Sequence, residues 1–278
     1  MGIVNVTPDS FSDGGKFYAQ DAAVDHALKL VAEGADILDF GGESTRPYSA
    51  AVDIAEERNR VLPVIERVAA QTTTPLSIDT TKSAVARAAI DAGAEIINDI
   101  SGLEADPAML PLAVESGAAI CAMHMQGTPQ TMQDNPHYGD VVADILEYLQ
   151  NRLEVFIQAG VEREKICLDP GIGFGKTHQH NLTLAANCEP FLATGRPILV
   201  GLSRKGFIGK VLQDKETERT FGTIGAALAV ARQKVQILRV HDVLAIRQAL
   251  LLYAACGGIT GAAWNLESAL RPHADKTS

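Results

Sequence analysis

The sequence predicts an α/β protein of the (β/α)8 TIM-barrel class, a single domain over residues 1–278 with its active site at the C-terminal ends of the strands. Three observations point there. Eight short apolar runs each give way to a stretch of helical periodicity. Turns after the helices are short, whereas those after the strands are longer and polar. A polar side chain closes nearly every apolar run, and in such a barrel those tips meet at one mouth. An open doubly wound sheet, the structural alternative, would spread them along an edge.

The elements follow in order. Residues 2–5 form an apolar run ending on Asn5, and the turn-rich loop behind it carries Asp9 and Phe11. Helical periodicity over 21–33 stops at Gly34, and 36–40 reads as the second strand. The loop Gly41-Gly42-Glu43-Ser44-Thr45-Arg46-Pro47 precedes a long helix over 53–71. Pro75 announces the third strand, which ends on Asp79. A helix over 82–91 stops at Gly93, and the fourth strand runs into Asn98 and Asp99. After a short helix over 109–115, residues 118–123 end on His124. The longest connection, 125–139, has the length of a lid or binding loop.

A helix over 140–159 closes at Gly160 and leads to the sixth strand, which ends on Asp169 and breaks into Pro170-Gly171-Ile172-Gly173-Phe174-Gly175-Lys176. That glycine spacing is neither a dinucleotide fingerprint nor a Walker loop, and reads as tight turns permitting close approach of a ligand. Residues 181–191 look helical, and 197–202 form strand seven, followed by Ser203-Arg204-Lys205. A helix over 224–232 precedes strand eight at 235–240, with Arg239 and His241 at its tip and a last helix over 242–256.

Composition narrows the function. A net charge of −10 argues against nucleic acid or an anionic membrane surface as partner, and an anionic ligand then requires a local cationic pocket or a metal. The four cysteines show no Cys-x-x-Cys spacing and read as free core thiols in a reducing, cytoplasmic compartment. No leader and no run of transmembrane length is apparent, so the sequon at Asn181 reads as accidental.

The strand-tip residues carry the chemistry. Asp79, Asn98 and Asp169 offer acceptors and an amide that suit the N–H edge of a flat heterocycle, and Lys205 suits a ring carbonyl. Arg239 and His241, two apart, point to one side as an anion clamp. With Asn5 and a divalent cation they suit a diphosphate, and so oxygen-rich a site favours Mg²⁺. Each residue also has a plain structural reading. Asp79 could cap the next helix, Asn98 could hold a turn with Asp99, Arg204 and Lys205 could be a solvated pair, and His241 could cap the last helix. His124 reads as readily as packing, and Phe174 either stacks on a ring or covers the rim.

Five separated motifs, the loop 5–15, the segment 41–47, Asp169-Pro170-Gly171, Ser203-Arg204-Lys205 and Arg239-Val240-His241-Asp242, resemble the dihydropteroate synthase family of the folate pathway, in the family's order over nearly the whole chain. The resemblance implies that 6-hydroxymethyl-7,8-dihydropterin diphosphate and p-aminobenzoate condense to dihydropteroate by a dissociative route. It implies that Asp79, Asn98, Asp169 and Lys205 hold the pterin, and that Arg239 and His241, with Asn5 through Mg²⁺, hold the diphosphate. Thr45, Arg46, Pro47, Phe174 and Ser203 would line the aminobenzoate pocket, with Asp9 and Phe11 on a closing loop. A homodimer and competition by sulfonamides are implied as well. A non-catalytic pterin-binding paralogue or a pterin-dependent methyltransferase relative is the second reading, and a methyltransferase has no need of the 44–47 loop. Two departures stand out: members usually carry a further segment before the first strand, expected to cover the barrel floor, and the turn 232–235 lacks the glycine and alanine often found there.

Overall fold

Along every strand, side chains alternate between two environments, and that alternation builds the barrel. The computed structural model describes residues 1–6, 16–214 and 216–264. Its strands are β1 (Gly2–Asn5), β2 (Leu38–Gly41), β3 (Leu76–Asp79), β4 (Ile96–Asp99), β5 (Ala119–Met123), β6 (Ile166–Asp169), β7 (Leu199–Gly201) and β8 (Ile237–Arg239). Val4, Leu38, Phe40, Leu76, Ile78, Ile97, Ile120, Ala122, Ile166 and Leu168 join the apolar core under the helices. Their alternates, Asp39, Ser77, Asp79, Asn98 and Asp169, face inward. Full burial of a side chain such as Phe40 or Ile78 stabilises the fold by about 1.5–3 kcal/mol.

Strands β1 to β6 pair in parallel in sequence order, and β7 pairs with β8. Two parallel bridges, Leu168 to Ile198 and Gly2 to Val240, join the sheets at both edges. Hydrogen bonds from Leu168 N to Pro197 O, Ile3 N to Val240 O and Val240 N to Met1 O, each 3.0 Å, close the ring. The two sheets thereby meet at both edges and form one ring, so neither sheet presents a free edge strand among the described residues.

Nine helices cover the ring among the described residues: α1 (Lys16–Ala32), α2 (Ile54–Ala69), α3 (Ser83–Asp91), α4 (Met109–Ser116), α5 (Val141–Ala159), α6 (His178–Ala186), α7 (Gly206–Leu212), α8 (Thr220–Ala231) and α9 (Val243–Ala255). Helix α2 buries Val61, Val64, Ile65 and Val68, an i, i+3, i+4, i+7 stripe, and Asp53 caps it by accepting from Glu56 N. Helix α5 starts on Asp140, which accepts from Val142 N and Ala143 N, and ends on left-handed Gly160.

Two helices depart from expectation. The pattern at 181–191 splits into α6 and a 3₁₀ turn, Glu189–Thr194, because Pro190 restarts the chain there. Helix α7 was not anticipated; Gly206 and Gly209 dilute its signal within seven residues. No helix among the described residues is long and apolar enough to cross a membrane.

Candidate active site

Register places six inward residues side by side: Asn5, Gly41, Asp79, Asn98, Cys121 and Cys167 are successive partners around β1 to β6. All four cysteines are free as expected; Cys188 sits in the apolar core, Cys121 is buried in the barrel interior beside partly exposed Cys167, and Cys256 is exposed, a correction to the expectation of core thiols. Met123 and Asp169 stand one inward step nearer the mouth, and Gly201 partners Arg239 across β7 and β8.

Arg239 ties this ring together. Its Nε donates to Asp39 Oδ2 at 2.6 Å and its Nη2 to Asp79 Oδ2 at 2.7 Å. Asn98 Nδ2 donates to the same Asp39 oxygen at 3.1 Å. Asp39 is fully buried and was missed in the sequence, although a carboxylate at an inward position between Leu38 and Phe40 was signal enough. Burial alone would lower Arg239, but Asp39 and Asp79 raise it above its ordinary range and hold it charged. Desolvation, only partly offset by Arg239, pushes Asp79 up to about 7. The second oxygens of Asp39 and Asp79 are buried without a hydrogen-bond partner among the described residues. Asp79 does not cap α3, whose N-cap is Lys82. Asp99, not Asn98, holds the following turn, accepting from Ser101 N at 2.7 Å.

Asp169 is buried, and its Oδ1 accepts from Gly171 N at 2.7 Å. Desolvation raises its carboxyl against the pull of Lys205. Lys205, half-buried, donates to Ile172 O and lies 4.7 Å from the centre of the half-buried Phe174 ring. Burial, partly offset by Asp169, brings its amine down to about 8. Gly171 has φ +70°, and a Cβ there would collide with His124 O. At Gly173, φ +91°, a Cβ would meet Lys205 Cδ at 2.8 Å. The close approach that these glycines permit is thus to the protein's own backbone and to Lys205. The sequon residue Asn181 is buried and accepts from Gly173 N at 2.6 Å.

Lys176, missed in the sequence, is almost fully buried. Its amine, which burial pushes well below its ordinary range, donates to Phe174 O at 2.9 Å and to His124 O at 3.3 Å and lies 3.1 Å from His124 Nδ1. His124 stacks edge-on against Tyr148, 4.8 Å between centres, and burial lowers it to about 3, so it packs and braces. Loop 125–139 is likewise a brace: Tyr138 Oη donates to Gly175 O at 2.7 Å, Gln133 Nε2 to Gly173 O at 3.3 Å, and Pro129 O accepts from Tyr48 N at 3.0 Å.

On the cationic side, Ser203 Oγ accepts from His241 N at 3.2 Å and lies 2.9 Å from His241 Nδ1. In the tautomer protonated at Nε2, the hydroxyl donates to Nδ1 and the Nε2–H is left to donate elsewhere. Burial, with Arg204 and Arg239 adding, lowers His241 to about 4, so it offers a neutral donor at pH 7. Arg204 pairs with Asp242 at 2.6 Å and is not a partner of Lys205.

Loop 41–47 is anchored at its base. Lys82 Nζ reaches Glu43 and fully buried Glu57, each at 2.5 Å, and Arg60 Nη1 donates to Gly42 O at 2.8 Å. Thr45 is half-buried, Arg46 and Pro47 are exposed, and Arg46 is near enough to act on His241. Asp9 and Phe11 lie outside the described residues.

No group of three His, Cys, Asp or Glu side chains is placed to hold a metal among the described residues. Asn5 Oδ1, 3.8 Å from where a Gly41 Cβ would stand and flanking Asp79, offers one neutral hard oxygen. That suits Mg²⁺, which keeps waters and takes its other ligands from phosphate oxygens.

Acceptors, an amide and two cations converge on one barrel mouth, a constellation chemically suited to a polar ring and an anion. Comparison with known proteins narrows this. The sequence profile described as "Pterin binding enzyme" matches residues 1–241. Dihydropteroate synthase of Haemophilus influenzae is 45% identical over 255 residues, 92% of each chain. The Yersinia pestis dihydropteroate synthase with a sulfonamide drug complex superposes with a TM-score of 0.86 at 44% identity, covering 92% of each chain. The Xanthomonas albilineans enzyme matches in structures with 4-aminobenzoic acid (TM-score 0.86, 46% identity, 92% and 91% covered) and with 7,8-dihydropteroate (0.83, 43%, 92% of each). The chain belongs to the pterin binding enzyme family and, within it, to the dihydropteroate synthases, which are transferases.

Proposed function

We propose that this chain joins 6-hydroxymethyl-7,8-dihydropterin diphosphate to p-aminobenzoate, giving 7,8-dihydropteroate and diphosphate by a dissociative route. The observation that carries the site assignment is the buried, unpartnered Asp79 oxygen at a mouth shared with Asn98, Asp169 and Lys205. A ring with an N–H edge satisfies that oxygen, which otherwise retains its desolvation penalty. Asp169 and Asn98 bind further ring edges, and the Lys205 ammonium meets a ring carbonyl. Arg239 and His241 Nε2–H hold the diphosphate; Asn5 would hold a Mg²⁺ through its amide oxygen, and the ion would supply charge neutralisation at the leaving group.

The C–O bond breaks with its electron pair passing to the diphosphate. The pterin cation left behind is flanked by the carboxylates of Asp79 and Asp169, and the arylamine nitrogen forms the new C–N bond and releases one proton. Catalysis is electrostatic, with Asp79 and Asp169 facing the developing cation and Arg239 and His241 facing the departing anion. Thr45, Arg46, Pro47, Phe174 and Ser203 hold the aminobenzoate, with Asp9 and Phe11 on the loop that closes over it, and sulfonamides compete there. The aminobenzoate and sulfonamide complexes of the relatives support this pocket.

The single core of the described residues supports reading 1–278 as one domain, and its free cysteines support a reducing compartment, the cytoplasm. Phe221, Leu244, Leu251 and Leu252, exposed on the packed pair α8 and α9, support a homodimer. Incubation with both substrates and Mg²⁺ should release diphosphate in step with dihydropteroate. Pterin binding without release would leave the non-catalytic paralogue as the answer.

A further inference from the structure

Strands β5 and β6 carry two cysteines directly opposite each other. Cys121 and Cys167 are register partners, and Cys121 is also the partner of Asn98 on β4. Strand parity sends both side chains to the side of Asn98 and Asp169, and Cys121 stands outside the apolar cluster that takes in Ile120 and Ala122. Adjacent strands lie about 4.8 Å apart, within reach of two thiols. Cys121 is buried, Cys167 is partly exposed, and both are free. Neither has a role in the chemistry above.

We propose that Cys121 and Cys167 form a dithiol site at the floor of the mouth, which takes a neutral trivalent arsenical as a two-sulfur chelate and thereby blocks the seat of the flat ring. Strand spacing sits at the short end of the Cα separations that disulfides span, whereas an inserted arsenic atom adds two long bonds and relieves that constraint. The hydrogen bond with Cys167, then burial, hold the Cys121 thiol well above its ordinary range, with Asp169 and Asp39 adding to the effect. Reagents that need a thiolate or carry negative charge are thereby disfavoured, while a soft neutral centre is accepted. The balance is simple. Two As–S bonds form, the As–O bonds break, and the two thiol protons leave with oxygen as water; arsenic stays trivalent and nothing is oxidised or reduced. The pair lies level with Asp79 and Asn98 and one inward step below Asp169, so the blocking half rests on the ring site assigned above, whereas the chelation does not.

Phenylarsine oxide on the full chain tests both halves. Intact mass should show one phenylarsenic gained and two hydrogens lost. The adduct should be lost in Cys121→Ala and in Cys167→Ser, and kept in Cys188→Ser and Cys256→Ser. Circular dichroism checks that each variant is folded, with Cys167→Val as a second variant if Cys167→Ser is not. 2,3-Dimercaptopropanol should remove the adduct where the same excess of a monothiol does not. An adduct that survives in folded Cys167 variants overturns the chelate. A pterin analogue bound equally well by labelled and unlabelled protein overturns the blocking, whatever the activity assay shows.

Discussion

Asp169 shows how one carboxylate serves both the loop and the site. One oxygen accepts from Gly171 N and fastens the turn, while the carboxyl also lies in the fields of Lys205 and Arg239. Asp169→Asn exchanges an acceptor for a donor facing an N–H edge. Pterin affinity should fall by about 2 kcal/mol or more, measured by calorimetry, and unchanged affinity would remove Asp169 from the ring site. Lys205 carries the pH dependence. Its amine is brought down to about 8, so it is charged below that pH and neutral above it. Because kcat/KM reports the free enzyme, it should decline for the pterin ester as pH rises through about 8. Lys205→Arg, charged at every accessible pH, should lose that alkaline limb.

Segments around the mouth are set against one another in pairs, and each pair has a lysine between its members. Lys82 stands between Glu43 on loop 41–47 and Glu57 on α2, and Lys176 joins the β6 loop to the end of β5. Lys82→Met would leave Glu57, with no exposed surface, as an unpaired buried charge. Removing one partner of a buried pair costs about 3 kcal/mol or more, and urea unfolding should show that loss. The double change Lys82→Met with Glu57→Gln should recover part of it. An equal loss in both variants would mean that the charge pair is not what anchors the loop. Helix α7 belongs to the same scale: its sequence signal is too weak to predict, and it forms because Phe207 and Ile208 are buried.

At the scale of the molecule, Arg239 spans the opening from β8 to β2 and β3, joining the last strand to two of the first three. Stability and catalysis therefore share one side chain. Arg239→Met should destabilise the fold by about 3–5 kcal/mol, because Asp39 and Asp79 are left facing each other without a counter-charge. Calorimetric melting would show it, and a midpoint equal to that of the unchanged chain would mean the strap is not structural. Adding Asp39→Asn should restore stability without restoring use of the diphosphate ester, which separates the two roles.

The order of elements and the polar strand tips were legible because both have short periods: two residues per strand repeat, and one break per helix end. Asn5, Asp79, Asn98, Asp169, Lys205, Arg239 and His241 could all be named on that basis. Asp39 could be placed at an inward position but not paired with Arg239, and Lys176 and the facing thiols could not be assigned, since what they do depends on neighbours dozens to hundreds of residues away. Spacing along the chain decides which side of a strand a residue occupies. Only closure of the barrel decides what stands across from it, because that partner is set by register between strands, for which no local pattern carries a signal.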